Sequence, residues 1–211
     1  MKTKQFIELE THLLPNFPGF VVKGKLMFIS PVEHTLRGFH FEASAFAKKN
    51  FYINVFFMPL CVPVKHIHFT FGHRIGPNKR WSVDQPELEG TLASEMLKEI
   101  PVLVGLKTAK DVAEAVELLT KGNPTSGYVN PHCYEALAYN RIQSGEIPVA
   151  ANVIDILLEK INPSVAWEKE IALRVRLIKS KLLENPEEAK NQLATWEAES
   201  IHNLGLQEFR N

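Results

Sequence analysis

The chain has little of what usually announces an activity. Only two of its 211 residues are cysteine, Cys61 and Cys133, which lie far apart with no CxxC neighbour. That usage argues against a disulfide framework and fits a reducing compartment. Net charge is lacking as well: twenty-four basic and twenty-four acidic residues cancel, so no general affinity for nucleic acid or for an anionic membrane surface is expected. No apolar run approaches the ~18 residues that suggest a membrane span. No charged start, apolar core and small-residue cleavage site follow one another at the beginning. A soluble, cytoplasmic protein is the expectation. Walker and dinucleotide fingerprints are also missing, so the common phosphate-binding loops are not in play.

What is present starts with three aromatic-rich stretches. In Leu36 to Phe46, Phe39, Phe41, Ala43 and Ala45 alternate with His40, Glu42 and Ser44, the period-two pattern of a half-buried strand. In Asn50 to Met58, Phe51, Ile53, Val55 and Phe57 form one face, and both faces turn apolar towards the end. Such a strand is expected to be covered on two sides. After the proline-bounded connector Pro59 to Pro63, the run Lys65 to Phe71 sets Ile67, Phe69 and Phe71 against His66, His68 and Thr70, and a third strand is expected there.

Upstream, Phe6, Ile7, Leu9, Leu13 and Leu14 form the apolar stripe of a short helix. Gly19 to Val22 and Leu26 to Ser30 read as a hairpin turning at Lys23-Gly24-Lys25. A meander of about five antiparallel strands with a helix over one face is therefore expected. Arg80 to Val83 could add a short edge strand. Helices then take over: one carrying Leu88, Leu92, Met96 and Ile100, ended or kinked at Pro101, and one opened by a Thr108/Asp111 capping box and stopped at Gly122. The turn-forming run Asn123 to Gly127 marks the expected boundary between an α+β sheet domain, residues 1–122, and a helical region, residues 123–211. The fold class is α+β, an antiparallel meander with flanking helices followed by an all-α tail.

In that tail, Tyr134 and Leu137 precede Ala138, Gly145, Ala150, Ile154, Leu157 and Pro163. The spacing resembles a tetratricopeptide repeat, whose small residues allow paired helices to cross closely. A second, degenerate unit has Ala172 and Val175 in its first helix and Ala189, Leu193 and Trp196 in its second, the first helix being about a turn too long. The resemblance implies helical hairpins and a role in association, and says little of function beyond that. Through the run Phe56 to Ile75, FFMPLCVPVKHIHFTFGHRI, the first part resembles uncharacterised bacterial α+β domains, which implies a sheet flanked by helices.

Four constellations carry chemistry. His66 and His68 two apart on a strand, with His40 and Glu42 similarly paired, would place three imidazoles and a carboxylate on one face and suit zinc with an open position for water. A polar sheet face turned to solvent carries the same residues, and that plainer reading is favoured. His73 and Arg74 with Lys79 and Arg80, in a glycine-rich tract, have the groups an anion site needs; a solvated loop is the plainer reading. Cys61 with His66 or His73, or Cys133 beside His132, would be a thiol and base, against the commoner role of a small buried hydrophobe. Trp167 and Trp196 either fill gaps between helices or mark a partner-binding surface.

The leading expectation is a non-enzymatic interaction or adaptor protein, by analogy immunity-like, whose partner is another protein or a second copy of itself, with no nucleic acid, no membrane and no cofactor. The alternative is a metal-assisted hydrolase using zinc on His40, Glu42, His66 and His68.

Overall fold

A computed structural model describes residues 3–76, 80–121 and 130–210, the side chains of Thr3 and Lys121 aside. The fold is α+β, and its contacts group the chain into two units, each interrupted in sequence. Among the described residues no helix is long and apolar enough to cross a membrane.

The first unit, Met1–Met58 with His68–Gly105 and Phe209–Asn211, holds the sheet. Helix α1, Thr3–Leu13, opens it and buries Phe6, Leu9 and Leu13, the spacing that brings side chains onto one helical face. Strands β1 (Phe20–Lys23), β2 (Leu26–Ile29), β3 (Thr35–Ala43), β4 (Asn50–Pro59) and β5 (Phe71–Arg74) follow in sheet order, and β6 (Trp81–Ser82) pairs with β4. The β1/β2 hairpin turns at Gly24, whose φ of 65° lies in the left-handed region open to glycine. Met27 stands opposite Phe39, and Leu26 opposite His40, so alternate residues of β3 serve opposite faces. Phe20, Met27, Phe39, Phe41, Phe51, Ile53 and Val55 form the face that packs with α1 and with α2 (Leu88–Leu97) and α3 (Ile100–Gly105). Rings interlock there, Phe6 lying 6.2 Å from Phe41 and 5.9 Å from Phe51.

Two expectations in this unit give way. The strand read at Lys65 to Phe71 is displaced: residues 61–70 contain no strand, and β5 begins where that stretch ends. Pro101 does more than end a helix, since it sits in the first turn of α3, where its missing N–H costs nothing. The expected edge strand is present as β6, and Trp81 is buried with its Nε1 donating to the Ile75 carbonyl at 3.1 Å. Gly76 makes room for it: φ is +97° and an added Cβ would lie 2.2 Å from the indole.

The second unit, Pro59–Ile67 with Leu106–Glu208, is helical: α4 (Ala109–Lys121), α5 (Pro131–Gln143), α6 (Ile147–Lys160), α7 (Ala166–Glu184) and α8 (Pro186–Asn203). The expected stop at Gly122 and the expected boundary run Asn123 to Gly127 lie outside the described residues. The division by contacts falls earlier, between Gly105 and Leu106, so that α4, which packs on α5, belongs to the helical unit. The capping box forms as expected: Thr108 N–H donates to Asp111 Oδ2 at 2.8 Å and Asp111 N–H to Thr108 Oγ1 at 3.2 Å. Asn130 and Asn185 cap α5 and α8, each followed by a proline at the first helical position. Helix α5 is the axis of the unit, nearly every side chain from Pro131 to Ile142 being buried.

Candidate functional site

The proposed zinc ligands do not share one strand face. His40 and Glu42 share the outer face of β3, two residues apart. His66 and His68 lie outside any strand, His66 exposed within the Pro59–Ile67 segment that groups with the helices, His68 in the sheet unit. The reason is where the backbone of that segment finds its hydrogen bonds. Val64 N–H donates to Ser200 Oγ at 3.2 Å, Ser200 Oγ donates to the Val62 carbonyl at 3.3 Å, and Asn203 Nδ2 donates to the Val64 carbonyl at 3.0 Å. Side chains of α8 thus satisfy groups that a sheet ladder would otherwise take. Leu60, Cys61 and Val64 are buried alongside. Among the described residues no group of three or more His, Cys, Asp or Glu is placed to hold a metal ion.

The outer face of the sheet has an apolar end and a polar one. At the apolar end Phe28 meets Phe209 at 5.1 Å, and Phe69 lies over Phe56 at 5.4 Å and over His40 at 5.0 Å. Burial pushes the His40 pKa down, against the pull of the Glu42 carboxylate. At the polar end Glu42 accepts from Arg74 at 3.1 Å and from Asn54 Nδ2 at 3.4 Å, while the Arg74 guanidinium rests 3.9 Å over the Tyr52 ring. The Arg74 guanidinium is thus shared between a ring and a carboxylate on the outer face.

The anion set does not converge. Adjacent residues of a strand point to opposite faces, so Arg74 joins Glu42 on the outer face while His73, opposite Val55, stands 3.4 Å from Glu99 on the helix-covered side. Arg80 is exposed, and Lys79 lies outside the described residues.

In the helical unit the two tryptophans part company. Trp196 is buried, 5.7 Å from the Tyr139 ring, and is a packing residue. Trp167 is 42% exposed and stacks on His132 at 5.0 Å with only 10° between the planes. Further along α7, Leu173 is 56% and Leu177 43% exposed, on the side away from the buried Ile171, Val175 and Ile178. Both cysteines are free and buried. Burial drives the Cys61 thiol far up, and Glu197 and Glu135 push the same way, which favours the thiol over the thiolate.

One charged group of this unit escaped the sequence reading. Glu135 is completely buried and is clasped by Arg174, Nε to Oε1 at 2.7 Å and an Nη to Oε2 at 3.0 Å. Burial, followed by the Glu135 charge, pushes the neighbouring Tyr139 hydroxyl well above its usual pKa. The signal was available: Glu135, Ala138, Tyr139 and Ile142 form an i, i+3, i+4, i+7 stripe, and a glutamate opening such a stripe needs a partner.

Compared with known proteins, the chain matches no family model, no curated protein and no solved structure.

Proposed function

We propose that this is a non-enzymatic interaction protein whose helical unit binds another protein or a second copy of itself through the outer face of α7. The observation that carries the reading is the apolar strip of Leu173 and Leu177, one turn apart and open to solvent, with Trp167 at the head of the same helix. Single exposed apolar residues are ordinary, but anchors four apart are the pattern by which one helix seats in a partner's groove. Lys169 and Arg176 are exposed beside the strip, an arrangement that favours orientation over added affinity.

The helical hairpins α5/α6 and α7/α8 support a tetratricopeptide-like reading, since α5 also packs against α7 and α8, as successive units of a stacked array do. The free cysteines favour a reducing, cytoplasmic setting, and an immunity-like adaptor is the biological role such an association would serve. The test is affinity capture from the native host together with light scattering, comparing wild type with the double variant Leu173→Glu/Leu177→Glu. Stoichiometric association by wild type, lost in a variant that melts normally, supports the reading. A wild-type monomer with no stoichiometric partner removes it.

A further inference from the structure

Helix α1 carries a group that covering the sheet does not require. Glu10 has no exposed surface, and among the described residues neither of its carboxyl oxygens has a hydrogen-bond partner. It lies four residues from Phe6 and three from Leu13, on the stripe by which α1 docks.

Among the described residues, no charged group of the elements packed against α1 hydrogen-bonds to Glu10. On α2, Glu89 takes His12 at 3.0 Å and Glu95 takes Lys98. On β1, Lys23 stands over Phe209 on the outer face, and Lys25, in the turn after it, lies 5.8 Å from the Phe6 ring centre. On β5, His73 stands beside Glu99. Arg37 of β3 makes no hydrogen bond to either Glu10 oxygen, and β4 brings the apolar Phe51, Ile53 and Val55 to this face. On α1 itself Lys4 stands near Glu8 at 3.9 Å, both exposed. A carboxylate in that setting would have lost its water and gained no partner, whereas the neutral acid loses far less.

We propose that α1 is a proton-operated cover: Glu10 docks as the neutral acid, and loss of its proton favours release of α1 from the sheet. Burial raises the pKa of this group from 4.5 to about 8, in the direction the geometry requires. The sign follows from linkage. Below pH 4.5 both docked and released forms carry the proton. Between there and about 8 the released form has lost it while the docked form keeps it, so each pH unit favours release about tenfold; above about 8 the effect levels off.

The experiment is amide hydrogen exchange of the α1 segment in the full chain from about pH 5 to about pH 9. Wild type is compared at each pH with Glu10→Gln and with Glu10→Leu, so that intrinsic exchange cancels. Protection of wild type relative to either variant is expected to fall about tenfold per pH unit up to about pH 8 and then flatten. Should one variant fail to fold, the other makes the same comparison, and carbon-13 NMR of the Glu10 carboxyl in wild type gives an independent reading. Parallel pH profiles in wild type and variant, or titration of Glu10 at its ordinary value with α1 still protected, would overturn the proposal.

Discussion

Each unit hides one glutamate completely, and the two are treated in opposite ways. Glu135 on α5 meets a guanidinium with both oxygens; Glu10 on α1 has no hydrogen-bond partner among the described residues. Equal burial therefore does not mean equal consequence. In the helical unit desolvation is answered by a charge-assisted fork, which also fixes how α5 sits against α7. In the sheet unit the answer has to be a proton, and a proton comes and goes with the solvent.

The largest effect expected from breaking this contrast is Arg174→Met, which strands the buried Glu135 and should cost about 3–5 kcal/mol in urea denaturation. Arg174→Met combined with Glu135→Met should recover most of that loss; a double variant no better than the single would mean that the pair is not the source. Next comes one substitution with opposite signs at the two sites. Glu135→Gln should lower stability by about 1–3 kcal/mol at neutral pH by leaving Arg174 poorly paired. Glu10→Gln should gain on wild type by about 1.4 kcal/mol per pH unit between pH 4.5 and about 8, because only the wild-type unfolded chain sheds a proton there. Thermal melts across that range decide it, and equal signs would erase the contrast. The smallest effect belongs to the half-exposed Arg74. Its ion pair with Glu42 is screened by solvent, so Arg74→Gln should change stability by less than about 1 kcal/mol, and a larger loss would show the outer face to be structurally essential.

Why some of this was legible in the sequence follows from particular residues. β3 and β4 announce themselves because Phe39 and Phe41, or Phe51, Ile53 and Val55, recur at the strand period with one face fully buried. The Thr108/Asp111 cap was equally readable, being a local hydrogen-bonding arrangement. The stretch with His66 and His68 has the same alternation but loses its backbone partners to Ser200 and Asn203, more than a hundred residues away, and no local pattern foretells that competition. In α1 the expected stripe included Ile7, yet Ile7 is 40% exposed and Glu10 is buried. At 100° per residue, position 10 lies between positions 6 and 14, closer to the docking centre than position 7, so angle outweighs residue type there. The candidate ligands were named by type and spacing, whereas their convergence depends on register and connection, which spacing does not contain.

The departure of Pro59–Ile67 from the sheet, and the return of Phe209–Asn211 to it, bears on how the protein can be made and divided. The chain passes between units at residues 58/59, 67/68, 105/106 and 208/209, so no single cut yields two whole bodies. A ribosome releasing the first hundred residues has supplied every strand of the sheet but not Phe209, whose ring closes on Phe28 and whose carbonyl accepts from Val32 at 2.7 Å. The sheet unit therefore completes its packing only once Phe209 has been made. A fragment of residues 106–211 would lack the segment that occupies Ser200 and Asn203, and splitting the gene at the run Asn123 to Gly127 would separate that segment from both partners.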